Sequence, residues 1–193
     1  MGLTSGVVRS FFAVPLSVEA EQQLVVAAES LRRQLDYGLG QGASLRWIPK
    51  QNYHLTLAFL GDIPRRQIQL LHDIASEVVA GERAGELMLN GFEWFPSASK
   101  PRLLAAIPAP CAMLQSLQRQ LHRRLNQQGF HLEKREFRPH VTLARIKGSL
   151  APMDIRDEAL AISSELDELV LFASTQGRNG SVYTPLFVEP IGA

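Results

Sequence analysis

The sequence contains two nearly identical segments, Tyr53-His54-Leu55-Thr56-Leu57-Ala58 and Pro139-His140-Val141-Thr142-Leu143-Ala144. Both are short, rich in Leu, Val and Thr, and followed a few positions later by a glycine, which is typical of β-strands. Because side chains alternate faces along a strand, the histidine and threonine of each segment share one face, while the residues between them point into a core. The repetition predicts a fold with two related halves, each presenting a polar pair.

The elements predicted around the two segments also repeat. The first half has a strand over residues 9–14 closed by Pro15, a helix over 18–35 capped by Ser17, the first histidine strand, a helix over 65–79 and a strand over 86–92. The second half has a strand over 102–107 closed by Pro108, a helix over 112–127, the second histidine strand, an Asp/Glu-rich segment over 154–160, and strands over 166–173 and 181–188 joined by a turn at 177–180. This order predicts an α+β fold of two similar lobes related by an approximate twofold axis, with antiparallel sheets lining a central cleft and helices outside. We expect residues 1–193 to form a single bilobal domain.

The composition is that of an ordinary soluble globular protein, with 193 residues, 46% hydrophobic residues and a net charge of +1. This balance excludes a polycation that binds nucleic acid through its overall charge, although basic residues are enriched between positions 119 and 147, as suits a substrate with a phosphate. Cys111 is the only cysteine, which excludes an internal disulfide and agrees with a reducing compartment. No apolar run approaches the ~20 residues of a membrane helix. We therefore expect a cytoplasmic monomer that does not associate with membranes.

Two imidazoles on opposite sides of one cleft are suited to acid/base catalysis, because histidine titrates near neutral pH and one ring can take a proton while the other gives one. A single histidine on a strand is more often a hydrogen-bonded structural residue, and threonine is common in strands for its β propensity alone. The duplication favours the functional interpretation. In that interpretation, the threonine hydroxyls donate hydrogen bonds to oxygens that gain negative charge.

The two motifs resemble those of the two-histidine (2H) phosphoesterase superfamily, and the flanking sequence resembles its RNA 2′,3′-cyclic phosphodiesterase branch, which is also known as the 2′-5′ RNA ligase family. The likeness extends over nearly the whole chain. It rests on His54-Leu55-Thr56-Leu57, His140-Val141-Thr142-Leu143, Phe11-Phe12-Ala13-Val14, Phe137-Arg138-Pro139, Leu171-Phe172-Ala173-Ser174 and Tyr183-Thr184-Pro185-Leu186.

The resemblance implies hydrolysis of a terminal 2′,3′-cyclic phosphate of RNA to a 2′-phosphate. It implies that His54 is the proton donor to the departing 3′ oxygen and that His140 is the proton acceptor that activates water. It also implies that Thr56, Thr142 and Arg145 bind the phosphate, and that the same centre has a reversible 2′-5′ RNA ligase activity.

Three of the candidate residues carry a structural alternative. Strict alternation from His140 puts Arg145 on the opposite face of the strand, so it reaches the cleft only if the strand bends or bulges. Phe12 and Tyr183 are candidates for stacking on a nucleobase, as aromatic residues do in single-stranded RNA sites, but each is also an ordinary core residue type.

No metal or cofactor is expected. His72 and His122 lie on predicted helices away from the motifs, and no cluster of His, Cys, Asp and Glu has the spacing of metal ligands.

The expected partner is RNA with a 2′,3′-cyclic phosphate end, such as a tRNA fragment, or a small cyclic nucleotide. The alternatives are a cyclic phosphodiesterase specific for small nucleotides and a non-catalytic RNA-binding module.

Overall fold

The computed structural model of this protein describes residues 6–36, 43–148, 155, 160–178 and 180–192. Within these residues the chain forms three α-helices and nine β-strands. The helices are α1 (Val18–Asp36), α2 (Ile68–Val79) and α3 (Ala112–Gln127). The strands are β1 (Val7–Pro15), β2 (Ala43–Trp47), β3 (His54–Pro64), β4 (Gly85–Phe95), β5 (Leu103–Pro108), β6 (Val141–Gly148), β7 (Ile162–Leu166), β8 (Glu168–Gly177) and β9 (Gly180–Pro190).

The first strand and helix form where the local sequence predicts them. Strand β1 ends at Pro15, whose nitrogen has no hydrogen to donate to a neighbouring strand. The Ser17 hydroxyl then accepts a hydrogen bond of 3.2 Å from the backbone N–H of Ala20, which caps α1. Leu24 and Leu31 of this helix are buried, so its apolar side faces the core.

One predicted helix begins later than expected, and two of the observed strands were not predicted. The helix expected from residue 65 begins at Ile68, because Arg65–Gln67 forms a 3-10 turn. The strands β2 and β7 were not predicted as separate elements. The Asp/Glu-rich segment over 154–160 lies outside the described residues except for Ile155 and Leu160, and so does Asn179 of the predicted turn.

The strands form two antiparallel groups of four that correspond to each other. Their order is β9-β8-β1-β3 in the first group and β7-β4-β5-β6 in the second, with β2 beside β6. All the strand pairs are antiparallel. Strand β4 comes from the first half of the chain but lies in the second group, whereas β8 and β9, from the end of the chain, complete the first. The predicted α+β fold of two similar antiparallel lobes is confirmed, and each lobe takes strands from both halves.

The helices cover the sheets and close the core. Helix α1 lies against β7, α3 lies against β3, and α2 packs between α3 and β9. The fully buried leucines of α3 join one apolar cluster with the buried residues of the central strands, including Leu55 and Val141. Within the described ranges, none of the helices has the length and hydropathy of a transmembrane span.

Replacement of Leu55 by alanine should lower the free energy of unfolding by ~3 kcal/mol, because Leu55 is fully buried where the two lobes meet and its truncation leaves a cavity. Val7→Ala on the neighbouring strand is the matched control, since Val7 is 66% exposed, and it should change the stability by less than ~0.5 kcal/mol. Chemical denaturation followed by circular dichroism measures both. A loss below ~1 kcal/mol for Leu55→Ala would contradict this view of the core.

Candidate active site

The two histidine motifs meet where β3 of the first lobe pairs with β6 of the second. Leu55 of β3 pairs with Val141 of β6 in an antiparallel register. Both side chains are completely buried, so they occupy the core side of the crossing. The residues on either side of each therefore point to the opposite, cleft side.

This register brings the four motif side chains together. One step from the paired residues, His54 lies opposite Thr142, and Thr56 lies opposite His140, because antiparallel strands run past each other in opposite directions. The antiparallel register thus puts each histidine across from the threonine of the other motif. All four residues are half-buried, as expected for side chains that line a cleft.

Both imidazoles are oriented in the same way by the backbone. His54 Nδ1 donates to the carbonyl oxygen of Asn52, and His140 Nδ1 donates to the carbonyl oxygen of Arg138, each over 2.8 Å. Since a carbonyl can only accept, Nδ1 carries the hydrogen and Nε2 of each ring is the atom available for proton transfer. His54 Nε2 lies 3.1 Å from the Thr56 hydroxyl.

Burial favours the neutral form of both histidines. It lowers the pKa of His54 from 6.5 to about 4, although the carbonyl of Asn52 favours the charged form, and the charges of His140 and Arg145 lower it further. Burial is also the largest cause that lowers the pKa of His140 below 6.5, with the charges of Arg138 and Arg145 acting in the same direction against the Arg138 carbonyl. A bound anion has the opposite effect, because it stabilises an imidazolium.

Arg145 reaches the cleft because β6 bulges. Thr142 and Ala144 of β6 pair with two consecutive residues of β5. Leu143 between them therefore has no partner in β5 and is the extra residue of a β-bulge. The extra residue shifts the alternation, and Arg145 returns to the cleft face, where it is exposed. Its charge lowers the pKa of both motif histidines, which shows that it lies near both rings.

Strand β3 has the same bulge at the corresponding position. Here Leu57 is the extra residue, because Thr56 and Ala58 pair with two consecutive residues of β1. Phe59, five positions after the first histidine as Arg145 is after the second, is consequently on the cleft face and is 59% exposed. The two lobes therefore differ at this position, with an aromatic ring in one and a cation in the other.

The predicted stacking role of Phe12 is wrong. Phe12 is fully buried and packs edge-on against Phe187, with 6.0 Å between ring centroids, so it has no face to offer a ligand. Its side chain points to the helix side of β1. The adjacent Phe11 points to the cleft side, and its ring centroid lies 5.0 Å from that of His54.

Tyr183 does lie at the first histidine. Its ring is 5.3 Å from His54 in an edge-to-face arrangement and 4.9 Å from Phe11. Phe172 completes the group, with its ring centroid 6.1 Å from that of His54. This aromatic surround excludes water from the imidazole and accounts for the large effect of burial on the pKa of His54.

The second histidine has a different neighbour that sequence reasoning missed. Phe95 stacks on His140 with 4.3 Å between centroids and an interplanar angle of 24°. The guanidinium of Arg138 lies 4.5 Å from the ring centroid of Phe95 and donates a hydrogen bond of 2.8 Å to the carbonyl oxygen of Pro96. No local pattern in the sequence marks Phe95, because it reaches His140 only through the pairing of β4, β5 and β6.

A cavity of about 150 Å³ opens beside His140. Its lining combines aromatic and polar side chains, with Thr56, Phe59, Phe95, His122, Arg135, Glu136, Arg138 and His140 among the residues. A smaller cavity on the side of the first histidine is lined by residues that include Arg46, Trp47, Asn52, Arg145 and Tyr183.

The expectation that His72 and His122 lie away from the motifs is correct for only one of them. His72 pairs with Glu189 of β9 over 2.7 Å, where α2 packs against that strand. His122 instead lines the cavity beside His140 and binds the carbonyl of Leu57 over 3.0 Å, because α3 packs against β3. In the ranges that the structure describes, no three His, Cys, Asp or Glu side chains are grouped to hold a metal ion.

Residues 15–178 match the family model of the 2′-5′ RNA ligase superfamily. The chain is 32% identical to an RNA 2′,3′-cyclic phosphodiesterase of Geobacillus stearothermophilus, over 94% of this chain and 58% of that protein. It is 26% identical to an RNA 2′,3′-cyclic phosphodiesterase of Thermotoga maritima over 93% of both chains. This chain thus spans little more than half of the first relative and nearly all of the second.

Solved structures share the fold. The Escherichia coli protein LigT, complexed with 3′-AMP, superposes with a TM-score of 0.80 at 25% identity and covers 97% of this chain and 100% of its own. A Thermus thermophilus protein, TT0787, has the same TM-score at 24% identity over 95% and 97% of the two chains. We conclude that this chain belongs to the 2′-5′ RNA ligase superfamily, as its paired His-x-Thr motifs predict.

Proposed function

We propose that this protein hydrolyses the terminal 2′,3′-cyclic phosphate of RNA to a 2′-phosphate, with His54 as the proton donor and His140 as the proton acceptor. The observation that carries this proposal is the antiparallel crossing of β3 and β6, in which each histidine lies opposite the threonine of the other motif. The order of the two roles follows the resemblance of the first and second motifs to those of the family.

In the proposed reaction the oxygen of a water molecule attacks phosphorus, and its proton passes to Nε2 of His140. The bond from phosphorus to the 3′ oxygen breaks, and that oxygen takes the proton from Nε2 of His54. In-line displacement puts the attacking and departing oxygens on opposite sides of phosphorus, so two separate proton-transfer groups are needed. The outward Nε2 atoms of the two rings suit these roles, and proton exchange with solvent resets them.

The non-bridging oxygens gain negative charge during this displacement. We propose that the hydroxyls of Thr56 and Thr142 and the guanidinium of Arg145 stabilise that charge from the cleft face. Arg145 is suited to this role because its charge acts on both histidines, between which the phosphate would lie. The proposed reaction takes its proton transfers and charge stabilisation from these side chains and uses no metal or cofactor.

The substrate is proposed to be RNA with a cyclic phosphate end, such as a tRNA fragment. Relatives of this chain are RNA 2′,3′-cyclic phosphodiesterases, and the similar E. coli protein was crystallised with 3′-AMP, a single nucleotide. The terminal nucleoside carries the departing 3′ oxygen and therefore lies on the side of His54. There the ring of Tyr183 is half-buried and can stack on the nucleobase.

The same centre can join RNA if a 5′-hydroxyl takes the place of water. We propose that His140 accepts the proton of that hydroxyl, that its oxygen bonds to phosphorus, and that the 3′ oxygen departs with the proton of His54, which leaves a 2′-5′ link. The name of the matched family supports this activity. The cavity beside His140 gives the incoming nucleoside room on the side of attack.

His54→Ala and His140→Ala should each reduce the hydrolysis of an RNA with a 2′,3′-cyclic phosphate end by at least ~100-fold, because each removes a general acid or base. The assay is run in EDTA and identifies the 2′-phosphate product by chromatography. His131→Ala is the matched control, since His131 is exposed on a loop, and its turnover should stay within twofold of the unaltered protein.

A parallel assay with 2′,3′-cyclic AMP distinguishes the alternatives. Cleavage of the nucleotide but not of RNA would indicate an enzyme for small cyclic nucleotides, and RNA binding without cleavage would indicate a binding module. Nearly full activity in either histidine variant would reject the paired acid/base roles.

The pH profile of kcat/KM should be bell-shaped with its maximum below pH 6.5. The reactive form has His54 protonated and His140 neutral. Both pKa values are lowered from 6.5, that of His54 to about 4, so the maximum lies below pH 6.5. Above pH 6.5 both rings are neutral in nearly all molecules, so the rate constant should fall about tenfold per pH unit as the remaining fraction with protonated His54 decreases.

Bound phosphate diester should raise both pKa values, so the profile of kcat should lie at higher pH than that of kcat/KM. Stopped-flow or discontinuous assays from pH 4 to 9 measure both profiles. A maximum of kcat/KM at pH 7.5 or above would show that burial does not control these histidines as described.

A further inference from the structure

Two carbonyl groups occupy equivalent places in the two lobes, at the bulges that follow the motif threonines. Leu57 in β3 and Leu143 in β6 are the extra residues of these bulges, so the inner strand of each lobe has no residue paired with them. The two residues, backbone included, are 3% and 0% exposed, so their carbonyl groups lie away from water. A buried carbonyl at such a site needs a hydrogen-bond donor from elsewhere in the protein.

In the second lobe the hydrogen-bond donor is a backbone N–H group. Strand β2 lies beside β6, with Trp47 opposite Ala144, and the ladder continues one step beyond the end of β2. The N–H of Ile48 donates to the carbonyl of Leu143 over 2.8 Å. The bulge that brings Arg145 to the cleft is therefore held by main-chain hydrogen bonding.

In the first lobe the donor is a side chain. Within the described residues, β3 has no strand beside it that corresponds to β2, and α3 packs there instead. His122 of that helix donates from Nε2 to the carbonyl of Leu57 over 3.0 Å. An imidazole thus supplies the hydrogen bond that the second lobe obtains from Ile48.

We propose that His122 is a positioning residue of this enzyme, which holds the β3 bulge so that Thr56 and Phe59 keep their places on the cleft face. The inference rests on the proposed function. His122, Thr56, Phe59 and His140 all line the same cavity, so a shift of the bulge changes the surroundings of the attacking side. His122 itself exchanges no proton with substrate in this scheme, because its Nε2 hydrogen is bound to the Leu57 carbonyl.

The hydrogen bond is independent of the charge on His122. Nε2 carries a hydrogen in the imidazolium and in the neutral tautomer that binds the carbonyl. Only a substitution that removes the donor therefore disturbs the bulge. This separates His122 from His54 and His140, whose proposed roles require loss or gain of a proton at Nε2.

Two substitutions at position 122 test the proposal. His122→Phe keeps a ring but has no donor, and it should lower kcat for cyclic-phosphate hydrolysis by ~10- to 100-fold, as expected for a misplaced active-site group. KM should stay within threefold and the pH of the maximum within 0.5 unit (about the precision of such a profile). His122→Gln, whose side-chain amide can donate to the same carbonyl, should keep kcat within threefold of the unaltered protein.

Gln120→Ala is the matched control on the same helix. Gln120 donates over 2.6 Å to Glu82 and does not line the cavity, so its loss weakens the attachment of α3 without touching the bulge. If His122 only stabilised the fold, all three variants would lower the melting temperature and leave kcat of the folded protein unchanged. Equal kcat in His122→Phe and the unaltered protein, or an equal loss in His122→Phe and His122→Gln, would overturn the proposal.

Nuclear magnetic resonance gives a second readout that does not depend on catalysis. The backbone amide signals of Ala58 and Phe59 and the methyl signal of Thr56 should shift in His122→Phe, and should stay in place in Gln120→Ala. If the unaltered protein cleaved no cyclic phosphate, the proposed function would fail while these shifts still tested the hydrogen bond and the bulge. Unshifted signals in His122→Phe would overturn the positioning role whatever the activity.

Discussion

The buried contact between Leu55 and Val141 is the interaction on which the candidate site depends. It joins β3 of one lobe to β6 of the other, and both side chains lie in the apolar core. Because the strands are antiparallel, the residues flanking this contact meet in opposite order, and each histidine lies opposite the threonine of the other motif. The hydrophobic free energy that holds the lobes together therefore also sets the geometry of the polar groups above it, on strands that a packed core keeps rigid.

The two halves of the site share a backbone and differ in their side chains. Aromatic rings surround His54, and burial lowers its pKa to about 4, whereas His140 stacks on one ring beside the charge of Arg138. Equivalent bulges place Phe59 on one side and Arg145 on the other. A twofold arrangement thus presents unlike surfaces to the two sides of one phosphorus atom, as a reaction with one entering and one departing oxygen requires.

Much of the fold and part of the site could be predicted from the sequence. The alternation of side chains along a strand correctly put each motif histidine and threonine on one face. It also predicted that Arg145 reaches the cleft only if β6 bulges, and the structure contains that bulge. The prediction that Phe12 stacks on a nucleobase is wrong, because its neighbour Phe11 lies on the cleft side of β1 and Phe12 on the other side. The contact of His122 with the carbonyl of Leu57 could not be predicted, because helical periodicity defines the apolar face of α3 but does not say which strand that face meets.

The sequence by itself determined the three helices, seven of the nine strands, the repeated motifs and the family, since these depend on the spacing of apolar and polar residues over a few positions. Tertiary structure alone decided that β4 joins the second lobe and β8 and β9 the first, that Phe95 stacks on His140, and that Ile48 and His122 bind the two bulge carbonyls. These contacts join residues far apart in the chain. They are selected by the burial and hydrogen bonding of the whole molecule, which no short stretch of sequence contains.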